Sequence, residues 1–213
     1  ASLAITLGGG TASVTVIGAV SPPGGDMSEP VTTGTQRFVR SLWQLDRELA
    51  YSRHYPAVSW RGSFSRDADA LGRWHAANGD PEWASRRARA SLILAEADRL
   101  AALAEIIGAN SLPGHEQMVL LGGRLLRDGV LVQNALSAND GYCSAAKGAA
   151  LLQAVLDTVD ICQELVARGV PPATVDSFDF STLLRLRESA GPSDAEGVSE
   201  RAAAFLAGLK ELQ

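Results

Sequence analysis

The chain has little lysine, two residues against seventeen arginines, and no Gly-Lys pair anywhere in its 213 residues. A phosphate-cradling loop of the GxxxxGK[ST] kind needs that pair between a strand and a helix, so Gly8-Gly9-Gly10 is no such loop. Three glycines between apolar alternating runs supply the positive φ of a strand reversal and predict a hairpin turn. Cysteine is scarce as well. Cys143 and Cys162 lie in helix-like surroundings without histidine at metal-binding spacing, which reads as free thiols in a reducing compartment rather than a disulfide or a metal site. His54, His75 and His115 fall in three separate contexts, so no ligand set is spelled out. No apolar run approaches the roughly 18 residues of a membrane span. The N-terminus carries no charged region followed by an apolar core and cleavage site, so membrane association is expected only through partners. A formal charge of -5, with arginines interspersed among carboxylates, excludes the clustered basic face that nucleic acid binding requires.

What is present is a chain 46% apolar, enough to bury a core as one ordinary domain or two small ones. Ala1 to Leu7 and Ser13 to Val20 read as strands, the second buried and running into GAVSPPGGDMSEPVT, Gly18 to Thr32. That loop is dense in proline and glycine and predicts a fixed backbone. Asp26 and Glu29 within it are read as turn and cap residues rather than an acid/base pair. Phe38, Val39, Leu42, Leu45 and Leu49 recur at helical spacing, which predicts one amphipathic helix from Thr33 to about Tyr51, capped by Thr32 or Thr33. His54 to Arg66 reads as a strand or extended segment ending in a loop.

From about Leu71 the pattern is helical. Glu82 to Ile107 is closed by Gly108, and His115 to Leu131 is weakened by Gly122-Gly123. Ser144 to Arg168 is bounded by a capping serine and Gly169. An apolar patch from Val175 to Leu186, a flexible linker SAGPSDAEG and a last helix from Val198 to Leu212 complete the chain. Strands with one helix therefore precede a helical bundle, and the change of character falls near Asp67.

Three stretches, SVTVIGAVSPPGGDMSEPVT, LWQLDRELAYSRHYPAVSW and VLVQNALSANDGYCS, are similar in order and spacing to the C-terminal part of the catalytic A subunit (alpha chain) of V-type and archaeal-type ATP synthases. The resemblance implies an α/β remnant of a RecA-like P-loop nucleotide-binding domain over residues 1–66. An all-α C-terminal helical bundle would follow over 67–213. It implies, for the parent subunit, ATP hydrolysis or synthesis coupled to proton or sodium ion transport, ATP/ADP and Mg as ligands, and a cytoplasmic place peripheral to the membrane. Its implied partners are B subunits in an alternating hexamer and the central-stalk and peripheral-stalk subunits.

Residue by residue, PAVSWRGSFS (Pro56 to Ser65) resembles a signature of rotary ATPases in which Ser59 replaces the usual Asn or Asp. Tyr55 stands where relatives place an aromatic ring against adenine; the alternative is a ring packed between strand and helix. Gln133 to Leu136 resembles the family's QQNAF loop, which would set Asn134, Ala135 and Leu136 at the base, with Leu136 in place of phenylalanine. The alternative is that Leu136 packs under its own loop. Arg66 stands where non-catalytic subunits carry an arginine finger, but the SPPGGDMSEPVT loop is A-like, so a surface or interdomain role is the expectation. In the family, the phosphate loop, the Mg ligand and the water-orienting carboxylate lie upstream of the region represented here. The chain by itself is therefore expected neither to hydrolyse ATP nor to hold it tightly. A structural module contacting rotor and neighbouring subunits is the other reading.

Overall fold

A computed structural model describes residues 2–7 and 10–212. The chain opens with β1 (Ser2–Leu7) and β2 (Gly10–Thr15), paired antiparallel with Leu7 opposite Gly10. The predicted Gly8-Gly9 turn lies outside the described residues. The second strand ends at Thr15, short of the expected Val20; Val14 and Thr15 are exposed, and Val16 and Ile17 follow as exposed, irregular chain. Val14, Val16 and Ile17 are exposed because a two-stranded ribbon does not by itself supply a covering layer.

The Gly18 to Thr32 loop turns through a short 3-10 segment at Pro23–Gly25, where Gly24 and Gly25 adopt positive φ of 65° and 77°. Asp26 accepts hydrogen bonds from the Ser28 amide and hydroxyl, and Glu29 caps α1 (Pro30–Phe38) by accepting from the Val31 and Thr32 amides. Both are therefore turn and cap residues, but the cap is Glu29 rather than a threonine. Proline at the first helical position suits this start, because its missing N–H is not needed there.

The single helix expected from Thr33 to Tyr51 is two short helices. Its first part ends at Phe38; β3 (Ser41–Leu42) then pairs antiparallel with β4 (Phe64–Ser65), and Leu45 bridges to Val58. A new cap, Asp46, starts α2 (Arg47–Tyr51). Cross-chain pairing has overridden the local 3.6-residue pattern. The apolar residues that created the pattern, Phe38 and Leu45, are exposed.

Arg40 and Asp67 form an ion pair at the start of α3 (Ala68–Ala77). The long helices follow: α4 (Trp83–Ile107), α5 (Gly114–Leu126) continued by a π turn at Arg127–Leu131, and α6 (Ala145–Ala167). Gly108 and Gly169 end α4 and α6 with positive φ, and Ser144 caps α6, as the sequence predicts. At Gly123 a β-carbon would lie 2.4 Å from Ala97 Cβ on α4, and at Gly122 one would lie 3.0 Å from Val159 on α6. The glycine pair thus accepts a weaker helix for a closer meeting of three helices.

The apolar patch resolves into α7 (Pro172–Asp176), α8 (Ser181–Leu184) and α9 (Leu186–Ser189), followed by α10 (Ala195–Lys210). Leu121, Leu125, Val155, Leu165, Leu186 and Leu209 are buried at the centre of the bundle, and Phe178, Phe180 and Phe205 stack edge-on beside them. The predicted flexible linker is instead fixed. The Ala190 carbonyl accepts from Lys147 Nζ and the Pro192 carbonyl from the Ser144 amide, so two long-range contacts hold a stretch whose composition reads as loose.

The first part of the chain docks on the bundle through Trp60 and Arg61. The indole Nε1 donates to Asp98 Oδ2 at 2.9 Å and Arg61 Nε donates to the same oxygen at 2.6 Å. Trp60 also packs against the bundle core and lies under the Arg127 guanidinium. No helix among the described residues is long and apolar enough to cross a membrane.

Candidate functional site

The segment carrying Tyr55 leaves α2 through a sharp reversal in which the His54 amide donates to the Leu49 carbonyl. Tyr55 is half exposed, its hydroxyl 3.4 Å from the Ala50 carbonyl. Its own carbonyl accepts from the Gln133 amide at 2.7 Å, which joins the Tyr55 segment to the loop that follows the π turn. Residues 78 positions apart in the sequence are thus neighbours along one backbone hydrogen bond.

The loop after Gln133 is built from its own polar groups. Asn134 donates its amide to Asp140 Oδ2 at 2.5 Å and accepts the Leu136 amide on its side-chain oxygen at 3.0 Å. The Ser137 carbonyl accepts from Gly141 at 2.8 Å, and a β-carbon on Gly141 would come within 3.0 Å of the Ala135 and Ser137 carbonyls. Asn134, Ala135 and Leu136 are exposed, with Leu136 97% accessible. Leu136 therefore does not pack under its loop. The two apolar side chains at this junction, Tyr55 and Leu136, both face away from the core.

Beneath the loop is a polar layer that sequence reasoning missed. Lys147, fully buried in the first turn of α6, donates its three N–H bonds to the carbonyls of Asn139 (2.6 Å), Arg187 (2.7 Å) and Ala190 (3.0 Å). Asp140 is buried and lies 3.2 Å from Arg187 Nε, an ion-pair contact outside hydrogen-bond alignment, while another Arg187 nitrogen donates to the Asp128 carbonyl. Glu188 accepts from the Asn134 and Asn139 side-chain amides, through Oε1 at 3.4 Å and its carbonyl at 2.8 Å. One signal was available: a lysine among alanines in the first turn of a helix opposes the helix dipole and needs a partner.

Burial lowers the His54 imidazole below its ordinary value; nearby Arg127 and Arg187 push the same way, while Asp128 opposes. Burial also raises both thiols, Cys162 to about 12, so neither is a ready thiolate near neutral pH. Arg66 donates to the carbonyls of Gln36 and Arg37 and lies over the Phe64 ring, which makes it an exposed cap on the end of α1. Ser59 is buried and its hydroxyl accepts from the Gly62 amide at 3.3 Å.

Two clefts occur elsewhere. One of about 620 Å³ runs between α8, α9 and α10, lined by Phe178, Arg185, Leu186, Arg201 and Phe205; another of about 490 Å³ lies over Trp60, Leu94 and Asp98. Neither includes Tyr55 or Leu136. Among the described residues no group of three or more His, Cys, Asp or Glu is placed to hold a metal ion.

Comparison with known proteins gives two family matches. Residues 4–65 match the ATP synthase alpha/beta family, nucleotide-binding domain, and residues 72–169 match the C-terminal domain of V and A type ATP synthase. The V-type ATP synthase alpha chain of Nitrosococcus oceani is 45% identical over 166 residues, 78% of this chain and 28% of the relative. The A subunit of the A-type ATP synthase of Thermococcus onnurineus is 40% identical over 194 residues, 91% of this chain and 32% of that protein. The corresponding protein of Ignicoccus hospitalis is 36% identical over 203 residues, 94% and 34% respectively. The chain spans about a third or less of the length of these relatives.

Proposed function

Because the chain belongs to the A-subunit (alpha-chain) family of V- and A-type ATP synthases, as a C-terminal portion of such a protein, we propose that it forms the base-side wall of an adenine nucleotide site. In this reading Tyr55 stacks on the adenine, and Leu136 covers its other side with Asn134 and Ala135 beside it. The observation that carries the reading is the 2.7 Å bond from the Gln133 amide to the Tyr55 carbonyl. It unites two segments that resemble the family's nucleotide-contacting stretches and leaves an exposed apolar side chain on each. A flat aromatic ring and an aliphatic cover suit a nucleobase, and base–aromatic stacking is worth roughly 1–3 kcal/mol. Leucine has no π-face, so its share is contact and water exclusion.

The parent protein is proposed to catalyse ATP hydrolysis or synthesis coupled to proton or sodium ion transport, alternating with B subunits in a hexamer and contacting central and peripheral stalks. It would be cytoplasmic and held at the membrane by the complex. Residues 1–66 are proposed to belong to its RecA-like P-loop domain and residues 67–213 to the C-terminal helical domain. Phosphate binding and Mg belong, on this account, to parts of the parent protein other than these residues. What this chain contributes to the reaction is position: it fixes the base so that the phosphates are presented in one place. Arg66, engaged with the end of α1, has no part in phosphate chemistry in this account.

Calorimetric titration of the full-length parent protein with Mg-ADP is the test. Tyr55→Ala weakens binding by about fivefold or more, the factor that 1 kcal/mol represents, and an unchanged affinity would refute the assignment. The isolated chain binds Mg-ATP no tighter than millimolar; a micromolar affinity would show that these residues suffice for a site.

A further inference from the structure

Lys147 is a charged group with no route to solvent, in a place where charge is doubly unfavourable. It is fully buried, and it sits three residues into α6 at the positive end of the helix dipole. An ammonium there persists only if every donor is satisfied. All three are, each by a backbone carbonyl outside α6. A side chain chosen for core packing alone would be aliphatic, since a buried charge is weak support for stability.

The carbonyls it binds show what the charge is for. Asn139 belongs to the loop that begins at Gln133, while Arg187 and Ala190 belong to α9 and the residue after it. The ammonium therefore pins the returning limb of the loop to α9. The outgoing limb is tied to the same helix through Asn134 and Glu188, and Asp140, which holds the Asn134 amide, meets the Arg187 side chain. Lys147 lies at the point where these ties converge, under the backbone that displays Asn134, Ala135 and Leu136.

We propose that Lys147 is a positioning residue for the nucleobase. It touches no ligand and acts through the carbonyls of Asn139, Arg187 and Ala190, holding the 133–141 loop in the one arrangement that offers Leu136 opposite Tyr55. The inference rests on the assignment of that loop to adenine, and it adds that the grip on the base depends on a group below the site. Replacing the ammonium with an apolar side chain leaves three carbonyls without their donor and frees the loop to sample other arrangements, so the base loses its cover while phosphate contacts persist.

The test uses the full-length parent protein and measures dissociation constants for Mg-ADP and for Mg-pyrophosphate, which has no base, by calorimetry, with the thermal midpoint followed in parallel. Lys147→Met is expected to weaken ADP binding about fivefold while pyrophosphate binding holds, so that the ratio of ADP to pyrophosphate affinity falls by the same factor. A purely structural role lowers the midpoint and leaves that ratio unmoved, and such a result overturns the proposal. Asn139→Ala, which removes only the 2.8 Å bond to the Glu188 carbonyl, loosens the same limb without creating a buried orphan; it is expected to move the ratio in the same direction if Lys147→Met does not fold, and an unchanged ratio overturns the proposal equally. Leu136→Ala separates the two levels. If it weakens ADP binding while the clamp variants do not, the adenine assignment stands and the role of Lys147 is refuted; if it too has no effect, the adenine assignment itself fails.

Discussion

Asp98→Ala isolates the contact that fastens the first part of the chain to the helical bundle. Asp98 Oδ2 receives both the Trp60 indole N–H at 2.9 Å and Arg61 Nε at 2.6 Å, and its side chain is only 12% exposed. Removing it strands the indole N–H in a partly buried place, which costs about 1–2 kcal/mol. The Arg61 pair adds about 0.5 kcal/mol or less, because the guanidinium is 66% exposed and screened by solvent. The sum is about 2 kcal/mol; with a urea slope of about 2 kcal/mol/M for a chain of this size, the midpoint falls by about 1 M. Asp98→Asn keeps an acceptor for the indole and loses only the charge, so its loss is about 0.5 kcal/mol. Urea unfolding followed by far-UV circular dichroism gives the midpoints, and tryptophan fluorescence reports the Trp60 environment. If the two variants fall together within about 0.5 kcal/mol of the unaltered chain, the indole–carboxylate bond does not fasten the junction as described.

Two glycine-to-alanine changes should have opposite signs. Gly123→Ala drives a methyl into Ala97 and costs about 1–3 kcal/mol, whereas Gly208→Ala, in α10 with open space around its β-carbon, stabilises by about 0.5–1 kcal/mol; thermal midpoints decide both. His54 has a folded-state pKa below its unfolded one, so the folded chain holds fewer protons, and stability present above the unfolded value, near 6.5, is lost as pH falls through the folded value. His54→Gln flattens that part of the pH–stability curve between about pH 7 and 5, measured by urea midpoints. Cys162, buried and raised to about 12, stays unmodified by a thiol reagent at about pH 8 in the folded chain and reacts after unfolding; rapid native labelling at Cys162 contradicts its burial.

The parts of the fold that local chemistry determines were legible in the sequence. Ser144 and Gly169 bound α6, Gly108 ends α4, and Glu29 and Asp26 serve as cap and turn, all through contacts within a few residues. What failed depends on partners far along the chain. Phe38, Leu42, Leu45 and Leu49 carry a helical period, yet pairing of Ser41–Leu42 with Phe64–Ser65 breaks the helix. SAGPSDAEG has the composition of a linker, yet the Ala190 carbonyl is held by Lys147 and the Pro192 carbonyl by Ser144. Likewise Val14 to Ile17 alternates as a buried strand does, but burial is a property of what lies across from it, and here those residues are exposed.

The candidate site divides the same way. Tyr55 and Asn134 to Leu136 stand out in the sequence through the resemblance of their segments to those of a known family. Composition alone marked none of them. Their meeting through Gln133 is a fact of three-dimensional structure. The clamp of Lys147, Arg187 and Asp140 spans up to 47 residues of sequence and uses mostly backbone acceptors, which have no residue code to read.

Photolabelling of the full-length parent protein with an adenine nucleotide bearing an azide on the base tests the central claim most directly. The account predicts that peptide mapping finds the label at Tyr55 or within Asn134 to Leu136, and that excess Mg-ADP suppresses it. Labelling that ADP suppresses but that maps only to other segments would contradict the placement of the base against these residues.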